Sequence, residues 1–209
     1  EPEKLTRIKG ITLKRAKAIG ETFRQQMGMR LLLDYLASHG LSAQLGLPLY
    51  RRYGPLALEM LKSDPYLLVD PEIGVDFSTA DGLALSSGMA GDDPVRREAG
   101  LAYELTHNLS NGHTFLPRGK LVGATAQLLE LDGDLLEISL DEMLQRGVLI
   151  EEEVSGERAV YLAELQEAEE YITHRLLEMS RAELRPPTRM EQVLEEIQRR
   201  QGISYAAQQ

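Results

Sequence analysis

Between residues 21 and 89, apolar residues recur at helical spacing in short bursts separated by turn formers. Leu31, Leu32, Leu33, Tyr35 and Leu36 begin one amphipathic helix, and Gly40 is suited to end it as a C-cap. Ser42 can cap the next short helix. Pro48 suits a first helical turn, with Leu47, Leu49, Tyr50 and Tyr53 around it and Gly54 closing it. Residues 55–61 make another short helix, Asp64-Pro65 marks a further start, and Asp70-Pro71 interrupts it. Many short helices with short turns predict a compact all-α region rather than a coiled coil or a bundle of long helices.

Past this region the pattern changes. The run Ser86-Ser87-Gly88-Met89-Ala90-Gly91-Asp92-Asp93-Pro94 reads as a boundary, and a helix is expected over 95–109. Thr114, Phe115 and Leu116 form a brief extended piece before Pro117. Helices are expected over 121–131 and 140–145. Strands are expected over 148–154 and 159–162, with Ser155-Gly156-Glu157 as the tight turn between them. Three helices followed by a two-stranded wing describe a winged-helix-like domain. Ala168, Tyr171, Ile172, Leu176 and Met179 then mark one stripe of a helix over 165–179. Arg185-Pro186-Pro187-Thr188 is a stiff break, and a last helix over 190–201 ends at Gly202. The implied divisions are 1–89, 90–163 and 164–209.

Charge changes this picture at one place. The chain has 209 residues and a net charge of −10, which argues against a general nucleic-acid binder. Residues 1–30 nonetheless carry +5, against −4 for 31–89, −8 for 90–163 and −3 for 164–209. Affinity for phosphate is therefore concentrated at the start. In a winged-helix DNA binder the third helix enters the major groove. Here that helix is expected near 139–146, with Asp141 and Glu142 at its start, and the wing carries Glu151, Glu152 and Glu153. Acids on both surfaces favour a structural or protein-contact role for this domain.

The basic stretch is 5–19, LTRIKGITLKRAKAI, read as two short helices joined by a glycine hairpin. Gly10 can take the positive φ of a sharp turn, and Thr12 can cap a helix starting at Leu13. The unpaired amides there, ringed by Lys9, Lys14, Arg15 and Lys17, form a site for a phosphate. Ile8-Lys9-Gly10-Ile11-Thr12 followed by Ala16 resembles the helix-hairpin-helix motif, with Thr12 where the motif has its second glycine. An amphipathic hairpin that packs on a neighbour and carries lysines for solubility is the competing reading. The stretch recurs 64 residues later as Gly74-Val75-Asp76-Phe77-Ser78-Thr79-Ala80, flanked by Glu72 and Asp81. A carboxylate at Asp76 would oppose a phosphate, so the second copy is expected to pack helices through Phe77 and Ala80.

Candidate chemistry is sparse. His39, His107, His113 and His174 lack metal-ligand spacing, and the acid pairs Asp92-Asp93, Asp132/Asp134 and Asp141-Glu142 read as loop and cap residues. No nucleophile elbow and no phosphate loop is present. Without cysteine, disulfides and thiolate metal sites are excluded. No apolar run reaches membrane-span length, and a cytoplasmic location is the default expectation.

In order, KGITLKRAKAI, SDPYLL, IGVDFSTADGLA, GHTFLP, Ala168-Glu169 and the closing GISYAAQQ resemble the N-terminal region of the RecD-like ATP-dependent DNA helicases of bacteria, a branch of superfamily 1. The resemblance implies a mainly α fold: tandem helix-hairpin-helix units, a small winged-helix-like α+β domain, and helices leading to a motor that lies beyond. It implies a parent protein that uses ATP and magnesium to move 5′ to 3′ on single-stranded DNA. Gln209, or failing it Gln208, would read the adenine of ATP. The motor's phosphate-loop lysine would follow, so this stretch alone is expected neither to hydrolyse ATP nor to unwind DNA. Implied partners are single-stranded DNA or a DNA junction, the motor domains and a single-strand-binding protein, with Lys9, Gly10, Thr12, Lys14, Arg15 and Lys17 as the DNA-contacting residues.

Overall fold

Short polar side chains decide where several helices of this protein start. A computed structural model describes residues 2–9, 11–181 and 189–204. Thr12, Asp76, Asp93 and Asp132 each accept a backbone N–H in the first turn of a helix, at α1 (Leu13–Ser38), α4 (Phe77–Ser86), α5 (Pro94–Leu109) and α7 (Gly133–Gln145). Ser42 and Asp64 do the same for 3₁₀ turns at Ala43–Leu45 and Pro65–Val69. Between them lie α2 (Gly46–Tyr53) and α3 (Ala57–Ser63). At the end of α1, Gly40 takes φ +71°, and the N–H of Leu41 reaches back to the carbonyl of Leu36.

Two expectations are corrected in this region. The start of the chain is a 3₁₀ turn, Pro2–Arg7, followed by one 26-residue helix, not two short helices. The helix foreseen from Leu31 is only the C-terminal part of α1. Gly20 and Gly28 interrupt the sequence of α1, and among the described residues of its first half Ala16 alone is buried, so capping and propensity rather than core packing hold that half helical.

The winged portion runs α5, β1 (Phe115–Pro117), α6 (Arg118–Leu129), α7, β2 (Leu149–Val154) and β3 (Glu157–Leu162). The sheet order is β1-β3-β2 and all pairs are antiparallel, with Leu116 opposite Val160 and Glu151 opposite the same residue on the other side. Ser155 and Gly156 both have positive φ, 56° and 85°, which is the turn whose twist suits a two-residue hairpin. The third helix begins at Gly133, capped by Asp132, rather than near Ser139. Gly100 lets α5 and α6 approach closely: a Cβ there would lie 2.7 Å from Leu129 Cδ1.

The fold is thus mainly α with a small α+β part. One apolar core runs from Leu32, Leu36, Leu61 and Phe77 through Leu101 and Leu105 to Leu121, Leu140 and Val160, continuous across position 89. Each fully buried leucine in it contributes roughly 1.5–3 kcal/mol of transfer free energy. By contact density, Glu1–Gln166 forms one unit and Glu167–Gln209 a second. The second unit holds most of α8 (Ala163–Arg181) and α9 (Met190–Gln201), which ends on a left-handed Gly202. Tyr171, Ile172, Leu176 and Met179 of the α8 stripe are exposed. The Arg185-Pro186-Pro187-Thr188 break lies outside the described residues.

Candidate nucleic-acid interface

The first hairpin is built around Thr12. Its backbone is extended (φ −77°, ψ 159°), and its hydroxyl accepts from the N–H of Arg15 at 3.3 Å. Its carbonyl accepts from the N–H of Ala16, and Ala16 is fully buried. The turn before it is closed by Ile8 N–H to Leu5 O and Ile11 N–H to Ile8 O, both 3.1 Å. In this arrangement the N–H groups of Leu13 and Lys14 have no intrahelical acceptor. Lys9, Lys14, Arg15 and Lys17 are exposed, and among the described residues no carboxylate pairs with them. Gly10 lies outside the described residues.

The second hairpin repeats this geometry 64 residues on with different chemistry. Asp76 takes the place of Thr12, accepting from Thr79 N–H at 2.9 Å and from the hydroxyls of Ser78 and Thr79 at 2.6 and 2.7 Å. Gly74 has φ +74°, and its N–H donates to Asp70 O at 2.8 Å. Ala80 is fully buried like Ala16, and Phe77 is buried between the rings of Tyr66 and Tyr103, with centroids 5.4 and 4.6 Å away. The other acids here are spoken for. Arg52 bridges Asp70 at 2.9 Å and Glu72 at 3.2 Å, so the turn carries less free negative charge than its composition suggests.

The hydroxyls of Ser78 and Thr79 and the Thr79 amide hold the Asp76 carboxyl down to about 2. A carboxyl depressed in the folded state contributes stability that is fully present above its unfolded value, near 4, and is lost as pH falls toward 2. The protection factor of the Thr79 amide, its exchange relative to the intrinsic rate at each pH, is therefore expected to fall across that window. Asp76→Asn should keep part of the cap and lose the acid dependence. An unchanged pH profile in Asp76→Asn would remove Asp76 as its source.

Two buried arginines organise the rest. Arg96, 8% exposed, meets Asp81 through both Nε (2.8 Å) and Nη2 (2.9 Å). Its Nη1 donates to the carbonyls of Gly91 at 2.7 Å and Leu129 at 3.1 Å. The Tyr66 hydroxyl donates to the same Asp81. Burial alone would raise the Asp81 carboxyl; the bonds from Arg96 and Tyr66 outweigh it and hold the group below the usual carboxylate range. Burial, and then the bond to Asp81, push Tyr66 well above the ordinary phenol value. Asp81 had the look of a surface acid beside a hairpin, and a spacing of 15 residues carries no local signal for this pair.

Arg118, also 8% exposed, donates to Glu137, Asp141 and Glu151. Desolvation disfavours its charge, but the three carboxylates overcome that and raise its pKa. Two of the acids expected to repel a groove, Asp141 on α7 and Glu151 on β2, thus hold α6, α7 and the wing together. Glu152 accepts from Gln166 Nε2 at 2.8 Å. Glu142 and Glu153 remain on the surface.

Among the described residues no His, Asp and Glu cluster could hold a metal, and no helix is long and apolar enough to cross a membrane. Gln208 and Gln209 lie outside the described residues. Asp93 and Asp132 cap Val95 and Asp134 N–H groups, as loop acids do.

Two turns that share one helix-cap geometry, the second locked to a winged three-helix layer by Arg96, stand ahead of a winged-helix-like part. Residues 25–115 match the family described as the ATP-dependent RecD2 DNA helicase HHH domain. The chain is 28% identical over 179 residues to the ATP-dependent RecD2 DNA helicase of Deinococcus radiodurans, covering 81% of this chain and 25% of that protein. Over residues 25–115 the chain is similar to the helix-hairpin-helix domain of RecD2-type helicases. It spans about a quarter of the relative's length. The family match contains the second hairpin and begins after the basic one.

Proposed function

We propose that this chain is the N-terminal accessory region of an ATP-dependent 5′–3′ DNA helicase, and that its first hairpin contacts DNA backbone while the region itself is not catalytic. The observation that carries this reading is the contrast between two hairpins with one cap geometry: the second is flanked by acids, whereas the first carries Lys9, Lys14, Arg15 and Lys17, with which no carboxylate pairs among the described residues. Lys9, Lys14, Arg15 and Lys17 supply the charge, and Gly10 and Thr12 shape the turn around a phosphate. Residues 1–89 serve as the hairpin region, 90–163 as the winged part, and 164–209 lead into the motor. There ATP and magnesium would act, with Gln209 or Gln208 at the adenine. The setting is the cytoplasm, and the substrate is single-stranded DNA or a junction delivered to the motor.

The test is anisotropy of a labelled oligonucleotide titrated with the full chain at several salt concentrations. Binding should be independent of sequence and fall steeply with salt. Changing Lys9, Lys14 and Lys17 together to Glu should weaken it by roughly a hundredfold at low salt. Unchanged affinity in that variant would refute hairpin contact.

A second reading, docking of the motor domains or a single-strand-binding protein, draws on the groove between the Pro65–Val69 turn and α5. That groove is lined by Tyr66, Phe77, Ala99, Ala102 and Tyr103. Association with such a purified partner that is lost in Thr106→Arg and kept in the lysine variant would favour it.

A further inference from the structure

The first half of α1 does not end its exposure at the lysines. From Leu13 to Phe23 only Ala16 is buried and Gly20 half-buried. Phe23 is 61% exposed and Ile19 41%. With Arg15, Ala18 and Thr22 they line a shallow groove on the helix surface. The Thr22 hydroxyl donates to Ala18 O at 3.1 Å, so it is turned back onto the helix and the wall it presents is apolar.

At about 100° per residue, Arg15, Ile19, Thr22, Phe23 and Arg30 fall within a sector of about 100°. Glu21, the one acid between them, falls on the opposite side. Arg15 and Arg30 are about 22 Å apart along the axis, with Phe23 near the midpoint. Among the described residues Arg30 is tied to Asp34, at 3.8 Å, in a pair that is 76% and 68% exposed, and so is available to another anion.

We infer that this face of α1 is a single-strand platform: Phe23 and Ile19 take the face of an unpaired base, while Arg15 and Arg30, too far apart to grip the two phosphates of one nucleotide, hold phosphates farther along the strand in either direction. The proposal rests on the backbone-contact reading of the hairpin and names the kind of nucleic acid it prefers. Charge complementarity selects the occupant. An exposed aromatic bracketed by guanidinium groups, with no acid on this face between them, suits a polyanion that also offers π-faces. In a duplex those faces are buried in the stack, so only a single strand can use Phe23.

The experiment measures binding of the full chain to labelled oligothymidylate, to an abasic strand of equal length, and to a duplex. Phe23→Ala should weaken oligothymidylate binding by about tenfold with an unchanged salt slope, and leave the abasic strand and the duplex unaffected. Phe23→Tyr should bind like the parent, and Phe23→Leu like Phe23→Ala, since leucine restores apolar area but no stacking ring. Full affinity in Phe23→Ala or in Phe23→Leu, or equal affinity of the parent chain for the abasic and thymidine strands, would overturn the platform. Concentration-dependent self-association abolished by Phe23→Ala would assign the face to a second copy and overturn it too. The lysine variant separates the two claims. If it weakens every ligand while Phe23→Ala weakens none, only the platform fails. If it weakens none, the hairpin reading fails whatever Phe23 does.

Discussion

Arg96→Leu is expected to lower the unfolding free energy by about 3 kcal/mol, measured by urea denaturation at neutral pH. The arginine is 8% exposed and its carboxylate partner 16%. Removing the cation strands Asp81 in a site where burial already opposes its charge, and frees the carbonyls of Gly91 and Leu129. The deficit should shrink in acid, for two reasons of the same sign. In the parent, the Asp81 carboxyl is depressed, so its contribution is present above the ordinary carboxylate range and disappears as pH falls through the lower folded value. In the variant, unpaired burial raises that carboxyl, so protonation relieves a penalty. Adding Asp81→Leu should recover part of the loss, because an apolar pair of similar size needs no partner. A single variant as stable as the parent would show that the network is ornamental.

Arg118→Met should cost about 2–4 kcal/mol in the same measurement. Here one guanidinium faces three carboxylates from α7 and β2, and without it those carboxylates face one another across α6. The prediction has a sharp companion. Arg118→Met combined with Glu151→Gln should be more stable than Arg118→Met alone, whereas Glu151→Gln in the parent should be destabilising. Simple additivity of the two changes would mean that Arg118 stabilises by packing its methylenes and not by its charge.

Residues that act on their own neighbours were readable in the sequence. Thr12, Ser42, Asp64 and Asp76 cap because a side chain meets an amide two or three residues away, and Gly40 and Gly202 end helices by a conformation intrinsic to glycine. The wing turn at Ser155-Gly156 was readable for the same reason. The 26-residue length of α1 was not, since Gly20 and Gly28 interrupt the pattern and the apolar residues of its first half, Leu13, Ile19 and Phe23, are exposed. Neither were the roles of Arg96 and Arg118, whose carboxylate partners lie 15 to 33 residues away and whose burial is created by helices packing over them. In charge counts both appear as surface cations, and Asp141 and Glu151 appear as surface acids. The candidate interface was legible as charge, at Lys9, Lys14, Arg15 and Lys17. Its extension to Phe23 was not, because an apolar residue inside a helix reads as core until the structure shows that nothing covers it.

The reach of Arg96 also bears on where this protein can be cut. The family match stops at residue 115, but one of the arginine's two carbonyl partners is Leu129, at the last turn of α6. Leu121 and Leu129 belong to the same core as Leu101 and Leu105. A fragment trimmed to 25–115 would keep the recognisable hairpin and lose the floor beneath it, leaving α5 with a bare leucine face and a guanidinium short of its Leu129 carbonyl. The heritable motif and the cooperative folding block are different stretches of chain, and the block needs α6 to close.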